Sequence, residues 1–174
     1  MRLLPLRRIL FVVAAFAVVL IYLIWWVSYA GIHYTARYTI RPPGASGEVQ
    51  GTTVRVLSLT RSDQLADAEG GEPDLPYPGA VWVVAELEAL RHDPAKEYYC
   101  GAQLIGPERR LWSSSSSLIK RAMQSCPLDL VVGQPVRFEA IYMVPARYAD
   151  QIGGIALSDS STAARVPVIT PPDG

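Results

Sequence analysis

The feature that most constrains this chain is an uninterrupted apolar stretch at residues 9–27, preceded by Arg2, Arg7 and Arg8. As a helix rising about 1.5 Å per residue, this stretch is roughly 28 Å long, close to the hydrocarbon thickness of a bilayer. No acidic residue occurs before Glu48. The sequence therefore predicts a single membrane-spanning helix with the lipid bilayer as its partner. Because basic residues favour the cytoplasmic side, the arginines predict a cytoplasmic N-terminus and an extracytoplasmic remainder.

A cleaved secretory signal is the main alternative for this segment, because residues 28–30 are acceptable as a cleavage site by residue type. The apolar core of a signal is usually shorter, about 7–15 residues. Trp25, Trp26 and Tyr29 also lie where an aromatic belt would anchor a permanent span. The length and the aromatic residues together favour a retained anchor.

The composition outside the membrane segment is that of one mildly acidic domain. The 144 residues after position 30 suffice for one domain with a core, but hardly for two. They hold all 16 acidic residues and 13 of the 16 basic ones, a net charge of −3. No stripe of lysine and arginine occurs, so nucleic acid is not expected as a partner. The predicted segments are a basic N-terminus, an anchor, an extended connector, the outer domain and a tail, at residues 1–8, 9–30, 31–50, 51–170 and 171–174.

The two cysteines, Cys100 and Cys126, are both extracytoplasmic in this topology. An even number of cysteines in an oxidising compartment predicts one structural disulfide. The bond would close a loop of 27 residues, for which the chain-entropy model gives about 3.5 kcal/mol of stabilisation. Free or intermolecular thiols are the alternative. A lipid anchor on a cysteine is excluded, because neither cysteine lies near the N-terminus.

Hydrophobic alternation predicts about seven short strands and at most one short helix. The clearest strand is 80–90, which is apolar at alternate positions on one face, while its other face changes from Trp82 and Val84 to Glu86 and Glu88. This pattern is typical of a central strand that is buried on one side. Six further strands are predicted near residues 34–40, 52–60, 97–106, 136–144, 155–157 and 166–169, and the helix at 117–125. Gly106-Pro107-Glu108 predicts a hairpin-like break, after which another strand could start at 111–112.

Irregular structure is predicted at two consecutive stretches. The strand 52–60 changes its apolar side from even-numbered to odd-numbered positions midway, which predicts a bulge. Residues 61–79 combine five carboxylates with glycines and prolines, which predicts a long exposed loop. Calcium binding is the competing interpretation of these carboxylates, but their spacing does not match that of an EF-hand loop.

An antiparallel β-sandwich of immunoglobulin-like type is the all-β architecture that this strand pattern favours, with a small closed barrel as the alternative. Cys100, Trp112 and Cys126 follow the cysteine–tryptophan–cysteine order of antibody domains. These two cysteines are too close in sequence to bracket a sandwich. The fold prediction therefore depends on the number of strands and not on this triplet.

Residues that carry chemistry are sparse in this sequence. There is no G-x-S-x-G motif, and the two histidines are His33, next to the membrane, and His92, in a turn. The histidines and methionines lack metal-ligand spacing. We therefore expect no catalytic residue, no metal site and no cofactor. A candidate binding surface is formed by aromatic residues that either pack in the core or are exposed to a partner, namely Tyr98, Tyr99 and Trp112.

Three stretches, together with the tethering helix, resemble small envelope-exposed immunoglobulin-like domains of bacteria. They are AVWVVAELEAL at 80–90, EYYCGAQLIG at 97–106 and VGQPVRFEAIYMVP at 132–145. The resemblance covers roughly residues 54–157. It implies an envelope location and an accessory role, and it transfers no catalytic residue. The chain departs from the common lipoprotein form of such domains because a helix replaces the lipidated cysteine.

These features together predict a membrane-anchored, extracytoplasmic, non-enzymatic domain that binds another membrane or envelope protein. Contacts are expected at 61–79 and at the serine run 113–117, since loops at the ends of sandwiches carry function. The alternative function is a receptor or chaperone-like domain for a small ligand or an envelope polymer, which would use the aromatic residues near Cys100. An enzyme ranks third, because it would need a pocket that holds His92 beside a serine or a carboxylate.

Overall fold

A long N-terminal helix, α1 (Leu4–His33), begins the computed structural model, which describes residues 4–33, 37–67, 70–96, 101–115, 130–157 and 165–172. Within α1, the stretch Arg8–Ala30 is long and apolar enough to cross a membrane. Its large apolar side chains are exposed. The predicted apolar helix is confirmed, and it extends beyond the predicted bounds at both ends.

The described residues after α1 form nine strands in two sheets. The strands are β1 (Arg37–Ile40), β2 (Gly47–Val49), β3 (Thr52–Ser62), β4 (Ala80–Arg91), β5 (Ala102–Ile105), β6 (Leu111–Ser113), β7 (Pro135–Pro145), β8 (Gly154–Leu157) and β9 (Arg165–Ile169). Sheet A has the order β1-β9-β8-β5-β6, and sheet B has the order β2-β3-β4-β7. The chain is therefore mostly β-sheet after an apolar helix.

Both sheets contribute to one hydrophobic core. Leu87 and Tyr142 from sheet B and Leu104 from sheet A are fully buried there, and burial of a leucine contributes about 1.5–3 kcal/mol. β2 approaches sheet A so closely that a Cβ at Gly47 would lie 2.7 Å from Leu157 Cδ1. Glycine at position 47 therefore sets how closely the two sheets pack at this edge.

β4 is the central strand that its sequence pattern predicts. Its odd-numbered residues from 81 to 89 are buried in the core, and on the other face an apolar pair is followed by two half-buried glutamates. The predicted irregularity in β3 is also confirmed, because the register between β3 and β4 shifts between Val56 and Ser58. One extra residue in β3 thus keeps the apolar side chains on the core face, because Val56 pairs with Leu87 before the bulge and Leu59 with Ala85 after it.

The topology differs from the predicted antiparallel arrangement in sheet A. β1 runs parallel to β9 along Arg37–Ile40, so sheet A is mixed and the fully antiparallel prediction is wrong for this pair. β2 lies in the stretch predicted as a connector, and its three residues are too few to show alternation. The helix predicted at 117–125 lies outside the described residues.

Two hydrogen bonds connect β7 of sheet B to sheet A and to the residues just after β6. Just after β6, the Ser115 backbone N–H donates to the carbonyl oxygen of Ile141 in β7 at 2.7 Å. The Tyr142 hydroxyl donates across the core to the carbonyl oxygen of Ala102 at 3.1 Å. Burial raises the pKa of this hydroxyl, because the phenolate would lose its hydration. Tyr142 therefore links the two sheets as a neutral donor.

The stretch 61–79 is predicted as a long exposed loop, and its described residues, 61–67 and 70–79, contact the outer face of sheet B through Leu65. β3 continues to Ser62, and Leu65 pairs with Asp74 through two backbone hydrogen bonds of 3.0 and 2.8 Å. Leu65 is buried with Trp82 in a small cluster, and the indole N–H donates to the Asp74 carbonyl at 3.1 Å. Most described residues of this stretch are exposed, as predicted, and Leu65 is the exception, because it packs with Trp82 in a small core of its own.

The strands alternate in direction along the chain, so their connections lie at two ends. We call the end at which β1 begins the proximal end and the opposite end the distal end. Only residues 34–36 separate α1 from β1, and such a link extends to at most about 14 Å. The proximal end is therefore tied to the C-terminus of α1. β3, with 11 residues, separates the two ends by roughly 35 Å.

Candidate functional site

The hairpin between β5 and β6 places a strained turn at the distal end. Glu108 and Arg109 both have a left-handed backbone conformation, with φ of 55° and 60°. A 3.1 Å hydrogen bond from the Arg110 N–H to the Pro107 carbonyl closes the turn around them. This is the backbone of a type I′ turn, where asparagine and glycine are the favoured residues. Other residues pay roughly 1–2 kcal/mol each in this conformation, so the turn is strained.

Trp112 in β6 stands beside this turn and is half-buried. A Cβ at Gly106 would lie 2.5 Å from the six-membered ring of Trp112, so glycine makes room for the indole. The Trp112 ring centroid lies 6.1 Å from that of Tyr148, at an interplanar angle of 46°. This tilted geometry is typical of aromatic pairs. The hairpin is thereby joined to the segment that carries Tyr148.

Tyr148 lies in a short 3₁₀ helix, Ala146–Gln151, directly after β7. Its ring contacts two cations: Arg110 Cζ lies 4.9 Å and Arg147 Cζ 4.8 Å from the ring centroid. Such contacts contribute about 0.5–1 kcal/mol each at exposed sites. Both arginines are exposed and Tyr148 is half-buried. We call Arg110, Trp112, Arg147 and Tyr148 the distal surface.

Two contacts fix the short helix that carries Tyr148. Arg61, near the end of β3, forms an ion pair with Asp150. The Ala146 N–H donates to the carbonyl oxygen of Gly79 at 2.9 Å, immediately before β4 begins. The distal surface is thus held by elements of both sheets, which is how exposed binding residues are kept in place.

The chemistry of the distal surface is that of planar cations and aromatic faces. Arg110 is paired with Glu108 at 3.2 Å, whereas Arg147 has no ion-pair partner among the residues that the structure describes. Guanidinium groups bind carboxylates through two parallel hydrogen bonds and also stack on rings. The arrangement is therefore suited to binding an acidic or aromatic segment of another molecule.

A second polar cluster lies on the outer face of sheet B, nearer the proximal end. Glu88 in β4 lies between Arg55 in β3 and Arg137 in β7, with N–O distances of 2.9 and 3.6 Å. Arg137 also lies 3.9 Å from Glu86. Opposite charges on neighbouring strands stabilise a sheet modestly, and exposed pairs contribute at most about 1 kcal/mol each. Because these charges compensate one another, we interpret the cluster as structural.

Trp112 is the residue of the predicted aromatic surface that the structure describes. Its half-buried ring packs on the hairpin and contacts Tyr148, so it takes part in both packing and the distal surface. The predicted disulfide and its aromatic surroundings stay predictions, because four of the residues involved lie outside the described ranges. They are Tyr98, Tyr99, Cys100 and Cys126.

Sequence reasoning missed Tyr148, Arg110 and Arg147. Their contact joins a hairpin to a helix that is distant in sequence, and hydrophobic alternation reports only on neighbours along one strand. The Gly-Pro pair at 106–107 did predict the hairpin. A basic residue followed by tyrosine, just after a proline that ends a strand, was the remaining local signal.

His92 lies near the proximal end, directly after β4. It is exposed, and its Nε2 lies 3.3 Å from Glu48 Oε1. Its backbone N–H donates to the Gly51 carbonyl at 2.9 Å. The carboxylate of Asp93 accepts a 3.0 Å bond from the backbone N–H two residues later, as in an Asx turn. Within the described ranges, no group of three or more histidine, cysteine or acidic residues is placed to hold a metal ion.

Comparison with known proteins identifies a fold but no family. No family model and no curated protein matches the chain. The chain is similar in structure to a conserved hypothetical protein from Bacillus anthracis, whose crystal structure was determined at 2.2 Å. The two are 17% identical, with a TM-score of 0.50 over 66% of this chain and 86% of the other. At this identity the likeness is one of fold alone.

Proposed function

We propose that this chain is a membrane-anchored, extracytoplasmic, non-enzymatic module that binds another membrane or envelope protein through its distal surface. The observation that carries the proposal is the packing of Tyr148 against the guanidinium groups of Arg110 and Arg147, beside Trp112. Arginine, tyrosine and tryptophan supply much of the binding energy at protein interfaces. The strained turn next to them supports the proposal, because backbone strain is concentrated at functional sites.

Exposed apolar side chains at the same end support a protein as the partner. Ile40 ends β1, and Leu75 and Tyr77 precede β4, so all three lie at distal connections. They are 75%, 70% and 73% exposed. The central part of a protein interface is typically rich in apolar and aromatic side chains and in arginine. Residues 70–79 thereby extend the proposed contact area beyond the distal surface.

The proposed location depends on α1 as a retained anchor. Aromatic rings cluster near its C-terminal end, where Trp25 and Tyr29 have centroids 5.5 Å apart, and such residues favour a membrane interface. The basic residues before the apolar stretch, Arg2, Arg7 and Arg8, support a cytoplasmic N-terminus. Two sheets around one core support an immunoglobulin-like sandwich for the outer part. A membrane-impermeant protease added to spheroplasts should digest residues 31–174, whereas protection of the whole chain would overturn this topology.

Crosslinking in cells tests partner binding. Tagged full-length chain is crosslinked, purified in detergent and analysed by mass spectrometry. We expect one stoichiometric membrane or envelope protein with the wild type, and a several-fold lower recovery with the double variant Arg110→Gln/Arg147→Gln. The matched control is Arg55→Gln/Arg137→Gln, which removes the same charge from the outer face of sheet B and should leave the recovery unchanged.

Two results would contradict the proposal. Equal recovery of the partner with both double variants would mean that the distal surface does not bind it. Recovery of the tagged chain alone would favour the alternative function, a receptor for a small ligand or an envelope polymer. The same tagged protein would then be screened against anionic polymers, for which the two guanidinium groups on Tyr148 are also suited.

A further inference from the structure

Two arginines stand side by side at the proximal end of sheet A. Arg37 and Arg165 are the first residues of the parallel strands β1 and β9 and are directly paired in register. Both are exposed, and like charges in such positions destabilise a sheet. Neither has an ion-pair partner in the part of the chain that the structure describes. Among the described residues, the pair therefore lacks an anion that would compensate it.

The described carboxylates near this end are engaged elsewhere. Glu48 lies 3.3 Å from His92, and Asp93 lies 3.6 Å from Lys96. Arg91 is also occupied, since its guanidinium donates to the backbone carbonyl oxygens of Pro94 and Lys96 at 3.0 Å. The arginine pair is thus distinct from the polar contacts that stabilise the neighbouring loop.

An apolar turn lies at the same end in sheet B, immediately before β7. Val131 and Val132 are 56% and 45% exposed. The turn is rigid, because Gln134 N–H donates to the Val131 carbonyl at 3.2 Å and Gly133 N–H donates to the Arg91 carbonyl at 2.8 Å. Gly133 has a φ of +80°, which a type II turn requires at this position. The turn therefore presents two valines to the surroundings on a fixed backbone.

The position of α1 indicates what these groups meet. A helix that crosses a bilayer ends at the headgroups, and the link of residues 34–36 keeps Arg37 within about 14 Å of that end. Guanidinium groups bind phosphate through two hydrogen bonds. Surfaces that combine basic and apolar side chains bind at the interface of anionic membranes.

We propose that the proximal end of the sheets sits on the bilayer that α1 crosses, with Arg37 and Arg165 bound to the phosphates of anionic phospholipids and Val131 and Val132 in the interfacial layer. The inference depends on the retained anchor of the proposed function. It adds a second membrane contact, which orients the sheets so that the distal surface points away from the membrane. The lipid phosphates then compensate the positive charge of the arginine pair.

Lipid photo-crosslinking tests this contact with the full-length chain in nanodiscs. The discs contain phosphatidylcholine, with or without phosphatidylglycerol, and a phospholipid with a photoactivatable headgroup. We expect adducts on peptides that contain Arg165 or the 131–134 turn, with a yield that rises when phosphatidylglycerol is present. Arg37→Gln/Arg165→Gln should lower this yield several-fold. The matched control Arg41→Gln/Arg109→Gln removes the same charge from exposed positions at the distal end and should not.

Each other outcome contradicts a specific part of the account. Adducts spread equally over distal and proximal peptides, or a yield that Arg37→Gln/Arg165→Gln leaves unchanged, would overturn the lipid contact. Val132→Ser gives an independent check, since it should lower the adduct yield on the turn without changing the charge. A chain that does not remain with the nanodiscs would overturn the retained anchor itself, and with it the proposed location.

Discussion

Two hairpin turns of this molecule share one backbone conformation but differ in composition. The turn between β2 and β3 has Gln50 and Gly51 at its centre, with φ of 46° and 69°, and the turn between β5 and β6 has Glu108 and Arg109, with φ of 55° and 60°. The first has glycine at the second of its two positions, as the type I′ turn favours. The second has two large charged residues at the same positions, which is costly.

The surroundings of the two turns explain this difference. The Gly51 carbonyl accepts hydrogen bonds from the backbone N–H groups of His92 and Asp93, and a Cβ at Gly51 would lie 2.4 Å from Asp93 Cβ. That turn is therefore packed against the residues directly after β4. The Glu108–Arg109 turn is closed by its own backbone hydrogen bond, has an exposed ion pair between Glu108 and Arg110, and lies beside Trp112 and Tyr148. We infer that the first turn is optimised for stability and the second for recognition.

The largest expected effect is at the packed turn. Gly51→Ala should destabilise the β-sheet domain by about 2–4 kcal/mol, because it combines a left-handed backbone with a steric clash. Urea titration of the full-length chain in detergent, followed by the circular dichroism of the sheets, measures this loss. Gly79→Ala is the control, since Gly79 has a φ of +81° but open space around it, and should cost only about 1 kcal/mol. Equal losses would mean that packing around Gly51 contributes nothing.

The strained turn should respond in the opposite direction. Glu108→Asn/Arg109→Gly supplies the residues that a type I′ turn favours and should stabilise the domain by about 1–2 kcal/mol. The same titration measures the gain. If the original residues serve recognition, this more stable variant should recover less of the crosslinked partner. A variant that gains stability and keeps full partner recovery would contradict the inference that the Glu108–Arg109 turn serves recognition.

A smaller effect is expected in the hydrophobic core between the two turns. Tyr142→Phe removes the hydrogen bond to the Ala102 carbonyl and should cost about 1 kcal/mol near neutral pH. Because burial raises the pKa of the Tyr142 hydroxyl above its ordinary 10.0, the unfolded chain releases this proton first as pH rises. The stabilisation is therefore fully present below about pH 10 and is lost above it. Paired unfolding curves at several pH values should show the difference between wild type and variant shrinking above pH 10, and a constant difference would contradict this.

The smallest effect on stability is expected on the distal surface itself. Arg147→Gln removes an exposed cation from the Tyr148 ring and should change the free energy of unfolding by less than about 1 kcal/mol. Thermal unfolding in detergent checks this against Arg137→Gln, an exposed arginine of sheet B. A loss of several kcal/mol would mean that Arg147 is a packing residue, and the case for recognition would weaken accordingly.

The elements of this fold could be predicted where a pattern is local. The alternation in β4 predicted a central strand and the face that it buries, and the change of side in β3 predicted the bulge with β4. The Gly-Pro pair before Glu108 predicted the hairpin, but its left-handed conformation could not be predicted, because neither glutamate nor arginine favours it. Sequence patterns therefore predict most of the strands, but not the backbone conformation of the turn at Glu108 and Arg109.

Non-local contacts explain what the sequence did not predict. The parallel pairing of β1 with β9 joins two ends of the sheet region, and no local pattern distinguishes it from an antiparallel partner. The burial of Leu65 could not be predicted, because Trp82, on which it packs, lies in a different element, β4. The contact of Arg110 with Tyr148 is of the same kind. Only Trp112, which lies in a recognisable strand, could be predicted as part of the candidate site.

The most direct test of the central claim is site-specific photo-crosslinking in living cells from the two turns. A photoreactive amino acid is introduced in place of Arg109 in one strain and in place of Gln50 in another, each in the full-length chain. We predict a discrete adduct with one membrane or envelope protein from position 109, and none with that protein from position 50. The same adduct from both positions, or from position 50 alone, would contradict recognition at the distal end.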